Sequence, residues 1–257
     1  MSAPVVAAGK VAFVTGATSG IGEATTRLLA LKGWTVIAAG RRTERLEMLA
    51  GSLPVGSVHP LPFDIQDAVA RATAIQTIVG MFGALHLLVN NAGLALGTEP
   101  AHETRLADWE TMIQTNVVAL VAVTHQLLPA LIRGRGGIVN LSSIAATYPY
   151  SGGNVYGASK AFVRQFSLGL HCDLRGTGVR VTSLEPGMVE TEFTGVRRRD
   201  PDAGRAFYAG AEALTADDMA HTILWVANLP PHMNINAIEV MPLSQTWAGF
   251  HVDRTGG

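Results

Sequence analysis

"KVAFVTG" (residues 10–16) is a short apolar run that ends in a glycine turn, and "TGATSGIG" (15–22) carries that turn into "IGEATTRLLALKG" (21–33), a stretch with helical spacing and a terminal glycine. The same unit recurs outward from it. "WTVIAAG" (34–40) reads as a second buried strand, followed by a helix near 43–50, a strand in "SVHPLPF", a helix over about 67–82, a strand in "LHLLVNN" and a long helix over about 107–133. "GGIVNLSS", "VRVTSLEPG" and "NAIEVMP" complete the strands, with helices at 156–170 and about 215–229 between them. Strands that are continuous apolar runs, separated by helices, predict a parallel sheet covered on both faces. The expected fold is therefore α/β, a single doubly wound domain over residues 1–257 with about seven parallel strands.

Composition bounds the function. The 257 residues are 48% hydrophobic and 15% charged, which excludes a disordered chain. A formal net charge of −1 gives no electrostatic footprint for nucleic acid or an anionic membrane, and "RRR" at 197–199 is too short to change that. No uncharged apolar run of about 18 residues suggests a membrane span. "MSAPVVAAGKVAFVTG" is interrupted by Lys10 and reads as a short arm entering the first strand, not a signal peptide. The single cysteine, Cys172, fits a reducing, cytoplasmic setting and falls in a helical pattern as a small core residue. Residues 194–210, "TGVRRRDPDAGRAFYAG", are the least regular stretch and read as a mobile insert of the kind that forms lids.

The glycine loop points to a ligand. Gly16 lets the chain turn, Gly20 leaves room for a pyrophosphate against the backbone, and the helix starting near Ile21 offers free amides and a positive dipole end. A dinucleotide fold that takes NAD places a carboxylate at the end of the second strand. Here Gly40 is followed by Arg41 and Arg42, two guanidiniums suited to a 2′-phosphate, so NADP is the expected cofactor.

The chain also resembles the short-chain dehydrogenase/reductase superfamily over essentially its whole length. The motifs that carry the resemblance are "TGATSGIG", "NNAG" (90–93), Asn116 in "QTNVVAL", the serine of "VNLSS", "YGASK" (156–160) and "PGMVET" (186–191). "NNAGLALGTEPAH", "YPYSGGNVYGASKAFVRQFSLGL", "NAIEVMP" and "QTWAGF" are similar to the NADP-dependent 3-hydroxy acid dehydrogenases, a branch that includes serine and allo-threonine dehydrogenases and malonic semialdehyde reductases. The resemblance implies a Rossmann-type fold and a catalytic group of Asn116, Ser143, Tyr156 and Lys160, with Ser142 facing the sheet. It implies a cofactor site of Gly16, Thr18, Ser19, Gly20, Ile21, Gly22, Arg41, Arg42, Asp64, Ile65, Asn90, Ala92, Gly93, Tyr156, Lys160, Pro186, Gly187, Val189 and Thr191. Asp64 and Ile65 would border the adenine, Asn90 and Gly93 its ribose, and residues 186–191 the nicotinamide.

Tyr156 and Lys160, four apart, share one helix face. A free phenol with a pKa near 10 is a poor base, and a nearby ammonium is expected to lower that value, leaving Tyr156 to move the proton and Lys160 to tune it. Ser143 would stabilise the developing alkoxide, and Asn116 would hold a water linking Lys160 to solvent. The substrate site is expected at Ser143, Tyr148, Tyr150, Met188 and Arg197, with Pro149, Leu94 and Leu96 as further apolar wall. Among Arg197, Arg198 and Arg199, Arg197 matches the branch best as carboxylate anchor. The expected reaction is hydride transfer between NADP and a small 3-hydroxy acid such as serine, allo-threonine or 3-hydroxypropionate, and no metal is expected. A broader ketone or aldehyde reductase is the alternative; a non-catalytic NADP sensor is disfavoured because Tyr156 and Lys160 are both present. Apolar residues on several faces of 107–133 and the helix after 156, with the family pattern, lead to an expected homotetramer.

Overall fold

The computed structural model describes residues 9–247 and Val252; the arm before Gly9 and the "AGF" of "QTWAGF" lie outside the described residues. The elements run β1 (Val11–Thr15), α1 (Gly20–Leu31), β2 (Thr35–Gly40), α2 (Thr43–Gly51), β3 (Val58–Pro62), α3 (Ala68–Phe82), β4 (Leu87–Asn90), α4 (Leu106–Ile113), a π-helical turn (Gln114–Ala119), and α5 (Leu120–Gly134). They continue with β5 (Gly137–Leu141), a 3₁₀ turn (Ile144–Ala146), α6 (Asn154–Asp173), β6 (Arg180–Pro186), β7 (Val189–Glu190), α7 (Phe193–Arg198), α8 (Pro201–Tyr208), β8 (Leu214–Thr215), α9 (Ala216–Ala227) and β9 (Ala237–Val240).

Seven strands form one parallel sheet in the order β3-β2-β1-β4-β5-β6-β9. Period-two alternation divides their side chains between two cores. Ala12, Val14, Val36 and Ala38 pack with Leu29, Leu46 and Ile223 of α1, α2 and α9. Phe13, Ile37, Leu88 and Ile138 pack with Ile78, Leu127 and Leu170 of α3, α5 and α6. Pro60 and Pro62 are tolerated in β3 because it is an edge strand, paired only with β2, where a missing ladder donor costs little. The strand order reverses between β1 and β4, and the crevice beyond their carboxyl ends is where such sheets bind ligands.

Two expectations change. Cys172 is exposed, because the apolar face of α6 that reaches the core carries Val163 and Leu170 instead. Residues 194–210 are not irregular: they form α7 and α8, with Asp200 capping α8 by accepting from the amides of Asp202 (2.9 Å) and Ala203 (3.2 Å). A Cβ on Gly204 would lie 2.7 Å from Gly195, so the two helices touch through their glycines. Arg199 holds the turn between them at a left-handed φ of 55°, with its Nη2 donating to both carboxylate oxygens of Asp108 at 2.7 Å. Leu106–Gly134 is one continuous helical rod, long and apolar enough by length and composition to cross a bilayer. Half of its most apolar window is buried within the chain, where Val123, Leu127 and Leu131 join the core.

Candidate active site

A cleft of about 850 Å³ opens at the carboxyl ends of the strands, floored by the loop after β1 and roofed by α7 and α8. At one end the phosphate loop is stitched to the segment after β4. Thr15 Oγ1 accepts from the amides of Asn91 and Ala92, both at 3.0 Å, and Asn91 Nδ2 donates to the carbonyls of Thr15 (2.9 Å) and Gly16 (3.2 Å). A Cβ on Gly22 would lie 2.3 Å from the Gly16 carbonyl oxygen, so Gly22 packs α1 against the loop and does not line the cleft. Ser19 at the α1 N-cap makes no capping hydrogen bond with its side chain, leaving the first amides of the helix open to an anion. These are the features a dinucleotide's phosphates require.

Arg41 and Arg42 both line the cleft, as do Thr18, Ser19, Gly20, Ile21, Asp64, Ile65, Ala92 and Gly93. Arg41 is 68% exposed, with Asp64 Oδ2 4.0 Å away. Arg42 donates through Nε and Nη2 to Thr18 Oγ1 at 3.1 and 2.9 Å. Asn90 departs from expectation: its side chain points into the interior and donates to Thr124 Oγ1 (2.9 Å) and Asn140 Oδ1 (2.8 Å), because β4 is a central strand. Asn91 is the asparagine of "NNAG" whose side chain holds the loop.

At the other end Ser143, Tyr156 and Lys160 converge. Ser143 follows β5 and its Oγ accepts from the amide of Ala145 at 3.1 Å. Ser142 is turned away, donating to the Lys160 carbonyl at 2.7 Å and so pinning α6 to the sheet. Lys160 is buried, with Nζ donating to the Leu141 carbonyl at 2.7 Å and standing 5.7 Å from the Tyr156 ring centre. Burial lowers its pKa to about 8. Tyr156 differs from expectation: its phenol sits above the ordinary value. Burial is the main cause, Tyr150 adds to it, and the Ser143 hydrogen bond and the Arg197 charge oppose it. Desolvation of the phenol is the largest effect, while the Lys160 ammonium is hydrogen-bonded to the Leu141 carbonyl.

Asn116 is placed by the π-helical turn and is buried outside the cleft lining. Its Oδ1 accepts from the Leu94 amide at 2.9 Å, while Nδ2 donates to the Leu94 carbonyl at 2.9 Å and to Ser159 Oγ at 3.0 Å. The side chain thus braces the loop after Gly93 against α6.

Pro186, Gly187, Met188, Val189 and Thr191 form the far wall. Arg197 of α7 donates from Nε to the Gly97 carbonyl (3.0 Å), from Nη1 to Tyr150 Oη (2.6 Å) and from Nη2 to the Gly152 carbonyl (2.8 Å). Its guanidinium lies 5.9 Å from the Tyr156 ring centre. Arg198 also reaches the cleft, but Arg199 is spent on Asp108. Tyr148 is not in the cleft: it stacks on Trp247 at 6.1 Å, and its Oη donates to Glu239 at 3.3 Å, since the 3₁₀ turn faces it toward β9. Pro149 and Leu96 are also absent from the lining.

The sequence of the first 22 residues, the Ser143–Tyr156–Lys160 cluster and the sheet order all point one way, and residues 10–202 match the short chain dehydrogenase family. The chain belongs to that family. It is 55% identical to a serine 3-dehydrogenase of Agrobacterium fabrum over 243 residues, covering 94% of this chain and 97% of that one. It is 51% identical to a sulfoacetaldehyde reductase of Chromohalobacter salexigens, covering 94% and 97%. A solved structure of serine dehydrogenase in closed form, complexed with NADP+, superposes with a TM-score of 0.88 at 46% identity and covers 95% of this chain and all of that one.

Several lining residues of this short chain dehydrogenase escaped the sequence reading. Phe193 packs on Tyr156 with ring centres 5.6 Å apart, and Tyr208, hydrogen-bonded to Thr194 at 2.6 Å, closes the roof. Gln245 accepts from the Met188 amide at 2.8 Å. Arg45, one turn beyond Arg42 and outside the lining itself, donates to the Thr18 carbonyl at 3.3 Å, and its i+3 spacing was the one available signal.

Proposed function

We propose that this chain is an NADP-dependent oxidoreductase that transfers a hydride between the nicotinamide and the carbinol or carbonyl carbon of a small 3-hydroxy acid of the serine type. The observation that carries the reading is Arg197. Its cation is held against the catalytic cluster by three hydrogen bonds that still leave two of its five donors for an anion. The 55% identical serine 3-dehydrogenase supports that substrate class, and the NADP+-bound neighbour supports the cofactor.

Arg41 and Arg42 would hold the 2′-phosphate, the open amides of α1 the pyrophosphate, and Pro186–Thr191 the nicotinamide. NADP, when bound, supplies or takes up the hydride. Tyr156 is the acid/base: its high pKa keeps the phenol protonated at neutral pH, ready to donate to a carbonyl oxygen gaining negative charge. Oxidation needs the phenolate and so is favoured as pH rises. Ser143 would donate to the same oxygen, and Lys160, charged below about pH 8 and 5.7 Å from the Tyr156 ring centre, adds positive charge beside the proton donor.

Exposed Ile113, Val118, Ile132 and Phe162 on α4, the π turn, α5 and α6 support packing of copies into a homotetramer. The single free cysteine supports a cytoplasmic setting. The test is an initial-rate panel at 340 nm: small 3-hydroxy acids beside secondary alcohols, and semialdehydes, sulfoacetaldehyde and ketones with NADPH. Anionic substrates should lead, and Arg197→Met should raise their KM far more than that of uncharged carbonyls. Equal rates with uncharged carbonyls in the wild type refute the acid.

A further inference from the structure

Glu192 stands between Thr191, which lines the cleft, and the first residue of α7. Its two carboxylate oxygens are spent on two guanidiniums: Oε2 accepts from Arg42 Nη1 at 3.0 Å, and Oε1 accepts from Arg45 Nη1 at 2.8 Å. Both guanidiniums also donate to Thr18 of the phosphate loop, Arg42 through Nη2 to its carbonyl at 3.1 Å and Arg45 to the same oxygen at 3.3 Å. A single carboxylate therefore spans the two cations that flank the end of β2, where a ribose phosphate would sit. Arg41 is outside this arrangement, its nearest carboxylate being Asp64 at 4.0 Å.

Guanidinium groups bind carboxylates and phosphates through the same planar donors, so Glu192 and a phosphate dianion are alternatives for Arg42 and Arg45. All three side chains are about half exposed, which keeps the pairing weak enough to exchange. We infer that Glu192 is an internal competitor of the ribose 2′-phosphate, a residue that sets cofactor affinity and selectivity by occupying Arg42 and Arg45 until the phosphate displaces it. The inference rests on the NADP reading. The Glu192 side chain makes no capping hydrogen bond to α7, so its pairs with Arg42 and Arg45 tether the start of α7, which carries Arg197, to the phosphate loop, and displacement by a phosphate loosens that tether.

The experiment compares Glu192→Gln with the wild type by titrating NADPH and NADH and following nucleotide fluorescence. The substitution should tighten NADPH about threefold to tenfold, the range that removal of a half-exposed competing charge supports, and leave NADH within about twofold. Unchanged or weaker NADPH binding, or an equal gain for NADH, overturns the inference. A wild type that does not prefer NADPH over NADH overturns the NADP reading instead. A second measurement needs no variant: adenosine 2′,5′-bisphosphate should speed amide exchange in 193–198 of the wild type, and adenosine 5′-monophosphate should not. Unchanged or slower exchange with the bisphosphate also overturns it.

Discussion

Replacing Lys160 with methionine should destroy turnover and stabilise the protein. The Nζ is buried, and its pKa falls from an ordinary 10.5 to about 8 because burial penalises the charged form. Keeping the ammonium charged at neutral pH therefore costs about 3 kcal/mol, at about 1.4 kcal/mol for each pH unit between those values. Methionine is unbranched and of similar length, and it carries no charge. It leaves the Leu141 carbonyl without its 2.7 Å charge-assisted donor, a loss of roughly 2 kcal/mol, so the net gain at pH 7 is about 1 kcal/mol. Between about pH 8 and 10.5 the unfolded lysine holds a proton that the folded one has released, so wild-type stability rises with pH through that window. The penalty is fully present below about pH 8 and mostly gone by pH 10, where variant and wild type should be nearly equal. Urea unfolding of both proteins at one concentration, at pH 7 and pH 10, measures this. A variant less stable than the wild type at pH 7, or a difference that does not narrow with pH, would refute the reasoning.

Tyr156→Phe should lower turnover by about 10²-fold to 10⁴-fold while NADPH affinity stays within about twofold, because only the transferable proton is lost; a parallel loss of binding, seen by fluorescence titration, would mean that the ring holds the cofactor. Arg41→Ala combined with Arg42→Ala should weaken NADPH by about tenfold or more and NADH by far less, and equal weakening in the same titration would remove the 2′-phosphate from this end of the cleft. Sedimentation velocity at micromolar concentration should give a tetramer, and a monomer would leave Ile113, Val118 and Phe162 without a partner surface.

The order of strands and helices was readable because each carries its own period, and the seven apolar runs became the seven strands of one parallel sheet. The glycine loop with Arg41 and Arg42 stood out as a local signature at the ends of elements, Ser143, Tyr156 and Lys160 stood out through the motifs of the family resemblance, and all of them line one cleft. What a residue faces is not local. Asn90 was read as a ligand and is a core asparagine because β4 lies in the middle of the sheet, and Tyr148 was read as pocket wall and faces Glu239 because the 3₁₀ turn after Ser143 directs it there. The tertiary fold alone brought Glu192 to Arg42 and Arg45 across roughly 150 residues, and Arg197 to Gly97, Tyr150 and Tyr156. It also reversed the expected direction of the Tyr156 pKa, since desolvation depends on everything packed around the phenol and not on the lysine four residues along. Sequence thus determined which chemical groups are present and on which elements they ride; packing decided which of them meet, and at what cost in lost solvent.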